Sequence, residues 1–397
     1  MGLPGLSKGR ADRLYASRRS AMLGYARNRP SPSLVGAIHP NPPTIGAVIN
    51  PSAISGGQTW AAINSGTGAI SLSWCTVYGA TGPIQFGASF PDSQFVTWTS
   101  HTRPVGIQRV PVRIRFWFDG TQLEVRFGMY NLTGNPQIFV DGMYVAAPSI
   151  GTTSPHDAYL PITFADRRPR LIEIRTASAF GGVRTGPLDT VWPVAAAPKP
   201  RCILLGDSYT DQSSSTGGLQ GYGNHFADVM GWPDTWLSGV GGSGFLNDGQ
   251  GVKLGTRLQN DCLDQAPDVV GVLMGHNDAS GSAGVITAAA ADVFARIRAA
   301  LPDAYLFVTG PLFQGSNLGA TYAPVENAVF AAATGYADTM ISTASPFWIT
   351  GSGRAGATTG SGNADLYVVA DGVHYTDAGH AYFGRRLAES LSTAIGL

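Results

Sequence analysis

The sequence predicts a parallel, doubly wound α/β sheet in its second half, preceded by an all-β sandwich or jelly roll. Three observations carry this. From residue 201 onward, short apolar runs alternate with helical segments, the pattern of a parallel sheet covered on both faces. From about 56 to 198, several short segments alternate apolar with polar residues, the period of strands with one buried face. Between them, Ala195 to Pro200 carries two prolines and reads as a short linker. At 397 residues and 44% hydrophobic the chain is long enough for two cored domains.

Residues 1–55 read as an extended, Pro-rich arm. Arg10 to Arg27 suits a short helix, but Pro30, Pro32, Pro40, Pro42, Pro43 and Pro51 exclude a long regular element. Such an arm connects or docks, and a docking arm would serve a homo-oligomer or a larger particle. The basic N-terminus lacks the apolar stretch of a secretory signal, and no run approaches the ~20 apolar residues of a membrane span. An extracellular or virion-associated location, by a route other than such a signal, fits these features, and so does a cytoplasmic one.

The 56–198 region supplies Ile70 to Trp74, Val112 to Phe116, Leu123 to Phe127 and Ile172 to Arg175 as alternating strands. Asp119-Gly120 and Asp141-Gly142 are hairpin signals. The apolar positions face the core, and the Arg and Glu positions face solvent or the neighbouring domain. Trp60, Trp98, Trp117 and Trp192 are large aromatics that fill a core or stack on sugar rings. The Asn131–Thr133 sequon is read as chance.

In 199–397 the expected strands are 203–206, 236–238, 268–274, 304–308 and 338–341. The expected helices are 221–230, 252–263, 285–301, 324–334 and 376–395, with Pro324 near a first turn and Thr376 as N-cap. The Gly-, Ser- and Thr-rich stretch 343–370 reads as a long loop of the kind that forms lids and substrate walls.

Charge narrows the function. Net charge is zero and only 13% of residues are charged, so neither a nucleic-acid footprint nor attraction to an anionic membrane is expected. Cys75, Cys202 and Cys262 are far apart and read as buried thiols, and the histidines form no ligand cluster, so no metal and no cofactor is expected. The glycine run 239–244 lacks the Lys-Ser/Thr ending of a phosphate loop.

Acyl transfer needs a hydroxyl nucleophile, a base, a group to orient the base, and donors aimed at an oxyanion. Ser208 stands two residues beyond the apolar run Ile203–Leu205 and its Gly206, where open α/β sheets bind ligands. His374 is the candidate base, and Asp371, three residues earlier, the carboxylate that accepts from its ring. Asn277 follows the strand ending at Met274 and offers an amide donor; the Ser208 N–H and a glycine N–H from 239–244 complete the oxyanion hole. His276 is expected to pack at the strand end, His380 to sit on a helix face, and Asp207 and Asp278 to bond loop backbone.

Gly206-Asp-Ser208, the glycine-rich block, Gly275-x-Asn-Asp278 and Asp371-x-x-His374 together resemble the SGNH (GDSL-type) hydrolases. The likeness spans about residues 201–397. It implies a flavodoxin-like sheet, a Ser208–His374–Asp371 triad, and oxyanion donors Ser208, a glycine of the second block, and Asn277. Leu237-Ser238 precede the glycines where many relatives have Asn, and the run leaves the glycine donor open; Gly242 is chosen, with Gly244 second. The preceding sandwich resembles two-domain carbohydrate esterases, including family 2, which implies an acetylated carbohydrate as the acyl-ester substrate. The alternatives are a lipase, arylesterase or polyester hydrolase, and a phage-tail or adhesion component whose hydrolase domain grips or trims a surface glycan.

Overall fold

The computed structural model describes residues 8–26, 36–63, 67, 69–82, 84–85, 95–98, 110–128, 135–150, 157–195, 200–315 and 318–396. The sequon at 131–133, the prolines at 30 and 32 and most of the linker lie outside them.

Two antiparallel sheets form the first half. One has seven strands, ordered 44–45, 157–163, 122–128, 179–185, 96–97 and 84–85, with 58–61 also paired to 179–185. The other has six, ordered 190–193, 112–119, 169–176, 137–140 and 143–146, with 76–78 on 112–119. Alternation builds the core directly. Val112, Ile114, Phe116 and Phe118 of one sheet and Leu123, Val125 and Phe127 of the other belong to one buried cluster.

Four features differ from the sequence reading. Ile70–Trp74 forms no strand; only an isolated bridge, Ile63 to Ile70, occurs there. Asp119-Gly120 makes no hairpin, because the strands on either side of it enter different sheets. The Asp189 carboxylate accepts from the Thr121 and Gln122 N–H groups at 3.3 and 3.2 Å, turning the chain from one sheet into the other. Asp141-Gly142, with φ of 53° and 81°, does close a hairpin between paired strands. Within the expected arm the helix read over Arg10 to Arg27 forms, as Lys8–Ala26, but Thr44–Ile45 is no free extended segment: it already pairs in the seven-stranded sheet. Pro324 lies inside the helix Gly319–Ala333, which starts five residues earlier than its proline suggests.

The second half is a five-stranded parallel sheet, ordered Thr235–Gly239, Cys202–Gly206, Val269–Leu273, Tyr305–Thr309, Thr339–Ile341. The three central strands, Cys202–Gly206, Val269–Leu273 and Tyr305–Thr309, are buried throughout, so they read as apolar runs. Leu204, Leu237 and Phe307 meet Tyr222, Phe226, Phe383 and Leu387 of the helices Tyr222–Met230 and Asp377–Ile395. Ile203, Leu205, Val270 and Val308 meet Leu258, Phe294 and Val329 on the opposite face. Thr376 caps the last helix, accepting from Gly379 N–H at 3.0 Å. The first strand of the sheet has neighbours entered from both directions, so the chain switches there, and its C-terminal end opens a crevice. All three cysteines are buried free thiols. Among the described residues, no helix is long and apolar enough to cross a membrane.

Candidate active site

Ser208 lies on the turn that leaves the Cys202–Gly206 strand. That turn is tight: a Cβ on Gly206 would stand 1.9 Å from Thr210 Oγ1. Asp371 and His374 lie on the loop before the last helix. Asp371 Oδ1 accepts from the Val373 and His374 N–H groups at 2.7 and 3.0 Å, which winds the loop around the carboxylate. Gly372, at φ 73°, supplies the left-handed residue this turn requires.

The loop brings the three side chains into one hydrogen-bonded line. His374 Nδ1 is 2.7 Å from Asp371 Oδ2, and His374 Nε2 is 3.0 Å from Ser208 Oγ. The carboxylate accepts a hydrogen bond from Nδ1–H, which keeps the proton on that nitrogen and leaves Nε2 as the acceptor facing the serine hydroxyl. Partial burial pushes the Asp371 carboxyl up, but the His374 ring and the two backbone donors outweigh it and hold it below the ordinary range. The Tyr209 hydroxyl donates to the Val373 carbonyl at 2.5 Å, and its ring lies 5.6 Å from that of His374. Tyr209, the residue after Ser208, therefore ties down the loop that carries His374.

The candidate oxyanion donors separate by their existing bonds. The Gly244 N–H donates to the Asn247 carbonyl at 2.8 Å and is occupied. Among the described residues, the N–H groups of Ser208 and Gly242 have no such acceptor. Gly242 adopts φ 73° on a loop that folds closely over Gly249. Asn277 Nδ2 donates to the Ser243 carbonyl at 2.9 Å, which ties the amide to the glycine loop and leaves its second N–H unspent.

Asp278 is fully buried and accepts from the Phe245 and Leu246 N–H groups at 2.8 and 3.0 Å. It shapes the loop instead of reacting. Asp207 accepts from the Tyr209 N–H at 3.1 Å, and burial pushes its carboxyl up to about 7. Both ring nitrogens of His276 have partners: Nδ1 bonds the Leu312 carbonyl at 2.6 Å, and Nε2 lies 3.2 Å from the Tyr322 hydroxyl. His380 is on a helix, but wholly buried. The stretch 343–370 holds more structure than a loop. Trp348 is buried, Ala364–Tyr367 is a helical turn, and Phe347 packs edge-on to Phe313.

Sequence reasoning did not single out Asn247, whose side chain donates to the Asn277 carbonyl, or Arg257. Arg257 and Asp261 stand four apart on one helix, a visible charge pair, but nothing local shows that both are buried. The four candidate tryptophans divide. Trp98 is core, and Trp60 donates to Thr185 Oγ1 at 3.3 Å. Trp117 and Trp192 lie near-parallel, 6.4 Å apart, on the outer face of the six-stranded sheet.

A five-stranded doubly wound sheet with its serine, histidine and asparagine on the loops at one edge defines a hydrolase fold of the SGNH type. Residues 204–382 match the model of the GDSL-like lipase/acylhydrolase family. The protein is accordingly an ester hydrolase. No curated protein matches the chain. The whole architecture recurs in solved structures. A family two carbohydrate esterase from Cellvibrio japonicus aligns with a TM-score of 0.59 at 15% identity, over 85% of this chain and 98% of that one. The salicylyl-acyltransferase SsfX3 from a tetracycline biosynthetic pathway aligns at 0.61 and 15%, over 87% and 99%. An acetyl xylan esterase, Est2A, from the rumen bacterium Butyrivibrio proteoclasticus aligns at 0.54 and 12%, over 86% and 99%. At these identities the likeness is one of fold, and it covers the β-sandwich as well as the hydrolase sheet.

Proposed function

We propose that this protein is a serine esterase that removes small acyl groups, acetyl first among them, from carbohydrate. The observation that carries the reading is the line from Ser208 Oγ through His374 to Asp371, at 3.0 and 2.7 Å. In this mechanism His374 Nε2 takes the Ser208 proton as Oγ attacks the ester carbonyl. The tetrahedral oxyanion is met by the N–H groups of Ser208 and Gly242 and by the Asn277 amide. Collapse expels the alcohol, which His374 protonates, leaving an acyl-serine. Water, deprotonated by the same ring, attacks the acyl carbon; as the second intermediate collapses the acid leaves and His374 returns the proton to Ser208 Oγ. Asp371 stabilises the imidazolium formed in each half-reaction.

Carbohydrate as the alcohol is supported by architecture: two of the three solved relatives described are carbohydrate esterases with the same two-part build. The acyltransferase among them motivates a second reading, in which a hydroxyl acceptor replaces water at the acyl-serine. Initial rates on 4-nitrophenyl acetate, butyrate and octanoate, with acetate release from acetylated xylan, test the proposal. The short ester is expected to turn over best, and Ser208→Ala to lower kcat by about 10⁴-fold or more. Equal trace rates from both proteins would remove the triad assignment. A preference for octanoate would select a lipase-like substrate instead. Faster loss of ester with added alcohols, giving new esters, would select transfer.

A further inference from the structure

Beneath the crevice lies a side chain that this reaction does not use. Arg257, on the helix Leu254–Asp261, is 1% exposed and sits between two strand ends. Its Nη2 donates to the Gly206 carbonyl at 2.7 Å. Its Nη1 donates to the Ser238 carbonyl at 3.1 Å, the Ser238 hydroxyl at 2.6 Å and Asp261 Oδ2 at 2.8 Å. Asp261 in turn accepts from the Ser238 hydroxyl at 3.0 Å.

Gly206 and Ser238 stand at the C-terminal ends of adjacent parallel strands. Ser208 follows the first by two residues, and Gly242 follows the second by four. The guanidinium is planar and rigid, so one fork bonded to both carbonyls holds the two strand ends at a set separation. The loops beyond them touch backbone to backbone. A Cβ on Gly239 would stand 2.0 Å from Asp211 N, and the Val240 N–H donates to the Gly206 carbonyl at 3.2 Å. A shift of one strand end therefore moves the neighbouring loop.

Stability alone is a weak reason for a buried arginine here, because apolar residues of like volume commonly replace a buried ion pair at no cost. They cannot supply two directed bonds to two strand ends. We infer that Arg257 is a positioning residue for the oxyanion hole: it holds the Ser208 N–H and the Gly242 N–H at the separation the tetrahedral intermediate needs. The inference rests on the roles proposed above for those two groups. Its signature follows from when the oxyanion exists. A hole set slightly too wide or too narrow weakens binding of the transition state and leaves ground-state binding alone, so kcat falls and KM stays.

The test uses the full chain with Arg257→Lys and Arg257→Met, 4-nitrophenyl acetate as substrate, and a fluorophosphonate titration taken to completion to count reactive serines. Thermal melts check folding. The expected result is a kcat per titrated site reduced by about 10- to 100-fold, with KM within about 2-fold of wild type. Arg257→Lys should fall between wild type and Arg257→Met, since an ammonium reaches one carbonyl where the fork reaches two. An unchanged kcat per titrated site, whatever the melting temperature, would overturn the inference, because a merely structural arginine alters the number of active molecules and not their turnover. A raised KM at constant kcat would overturn it too. Should Arg257→Met fail to fold, Arg257→Lys carries the same test. Ser208→Ala separates the two levels of argument. If hydrolysis survives in Ser208→Ala, the proposed nucleophile is wrong. If Ser208→Ala is dead and Arg257→Lys turns over normally at each titrated site, only the positioning role is lost.

Discussion

His380 and Asp207 lie near the crevice, and burial drives both toward neutrality with opposite consequences for stability. The His380 Nδ1 accepts the Tyr222 N–H at 3.3 Å and its Nε2 reaches the Ser213 carbonyl at 3.1 Å, a use that needs the neutral ring. Burial lowers its pKa to about 4. The unfolded chain takes that proton near 6.5, so stability is lost as pH falls from about 6.5 to about 4, by about 3 kcal/mol. Asp207 runs the other way. Burial pushes its carboxyl up to about 7 from 3.8, so the folded state holds the proton more tightly and stability is gained as pH falls from about 7 toward 4. The two contributions oppose each other across one window. Thermal melts between pH 4.5 and 7.5 should show a shallower acid-side loss in His380→Gln than in wild type, and a steeper one in Asp207→Asn. Parallel curves for all three proteins would show that neither group titrates as its burial dictates.

At the scale of elements, the helix Lys8–Ala26 shows how docking departs from pattern. Its sequence has no apolar stripe, so although Arg10 to Arg27 reads as a short helix, nothing in it shows where that helix packs. The helix is held by specific contacts instead. Arg18 places Nη2 2.6 Å and Nε 2.8 Å from Asp338 Oδ1, and its Nη1 donates to the Pro302 carbonyl at 2.9 Å. Met22 is fully buried in the core of the parallel sheet. Asp338 keeps a second cation, Arg298 at 2.9 Å, when Arg18 is removed. Arg18→Ala is therefore expected to cost about 2 kcal/mol, less than the loss of a sole partner, without changing kcat. Urea unfolding measured alongside turnover checks both halves of that statement. The Asp119-Gly120 corner makes the same point in a strand. The dipeptide is a fair hairpin signal, but Asp189, nearly seventy residues away, captures the turn.

For the whole molecule, the join between sandwich and hydrolase sheet is electrostatic. Arg113 and Arg175, on adjacent strands of the six-stranded sheet, each bond one oxygen of Asp228, at 2.6 and 2.7 Å, on the helix Tyr222–Met230. Glu173 accepts from Arg175 at 2.6 Å within the same sheet. Burial by itself would raise the Asp228 carboxyl, but the two arginines more than offset it and hold it well below its usual range. The alternating Arg and Glu positions that the sequence assigned to solvent or to a neighbour include this contact. Removing Asp228 leaves two buried arginines with one acid between them. Asp228→Ala should destabilise the protein by about 3–5 kcal/mol and lower Tm by several degrees. Because the network touches none of Ser208, His374 or Asp371, kcat at 25 °C should stay near wild type. A large loss of kcat with Tm intact would mean that the sandwich acts on the site and does more than brace the sheet.

The sequence by itself determined the class of fold and the chemistry available at each loop. Both are written locally: burial on two faces makes a continuous apolar run, burial on one face makes alternation, and Ser208 and Asn277 stand just beyond strand ends. It also ordered the blocks Gly206–Ser208, Gly275–Asp278 and Asp371–His374 along the chain. What only the tertiary structure decided are relations between residues far apart. Ser208 and His374 are 166 positions apart and 3.0 Å from each other, a distance no pattern encodes. The glycine run ranks Gly242 ahead of Gly244 without a spatial reason; the Asn247 carbonyl occupies the Gly244 N–H, which supports Gly242 as the donor. Arg257 and Asp261 stand four apart in the sequence, but only the closed sheet buries both and brings two strand ends to the guanidinium. Propensity and periodicity act over a few residues, whereas burial and the sharing of a donor between two strand ends exist only once the sheet has formed.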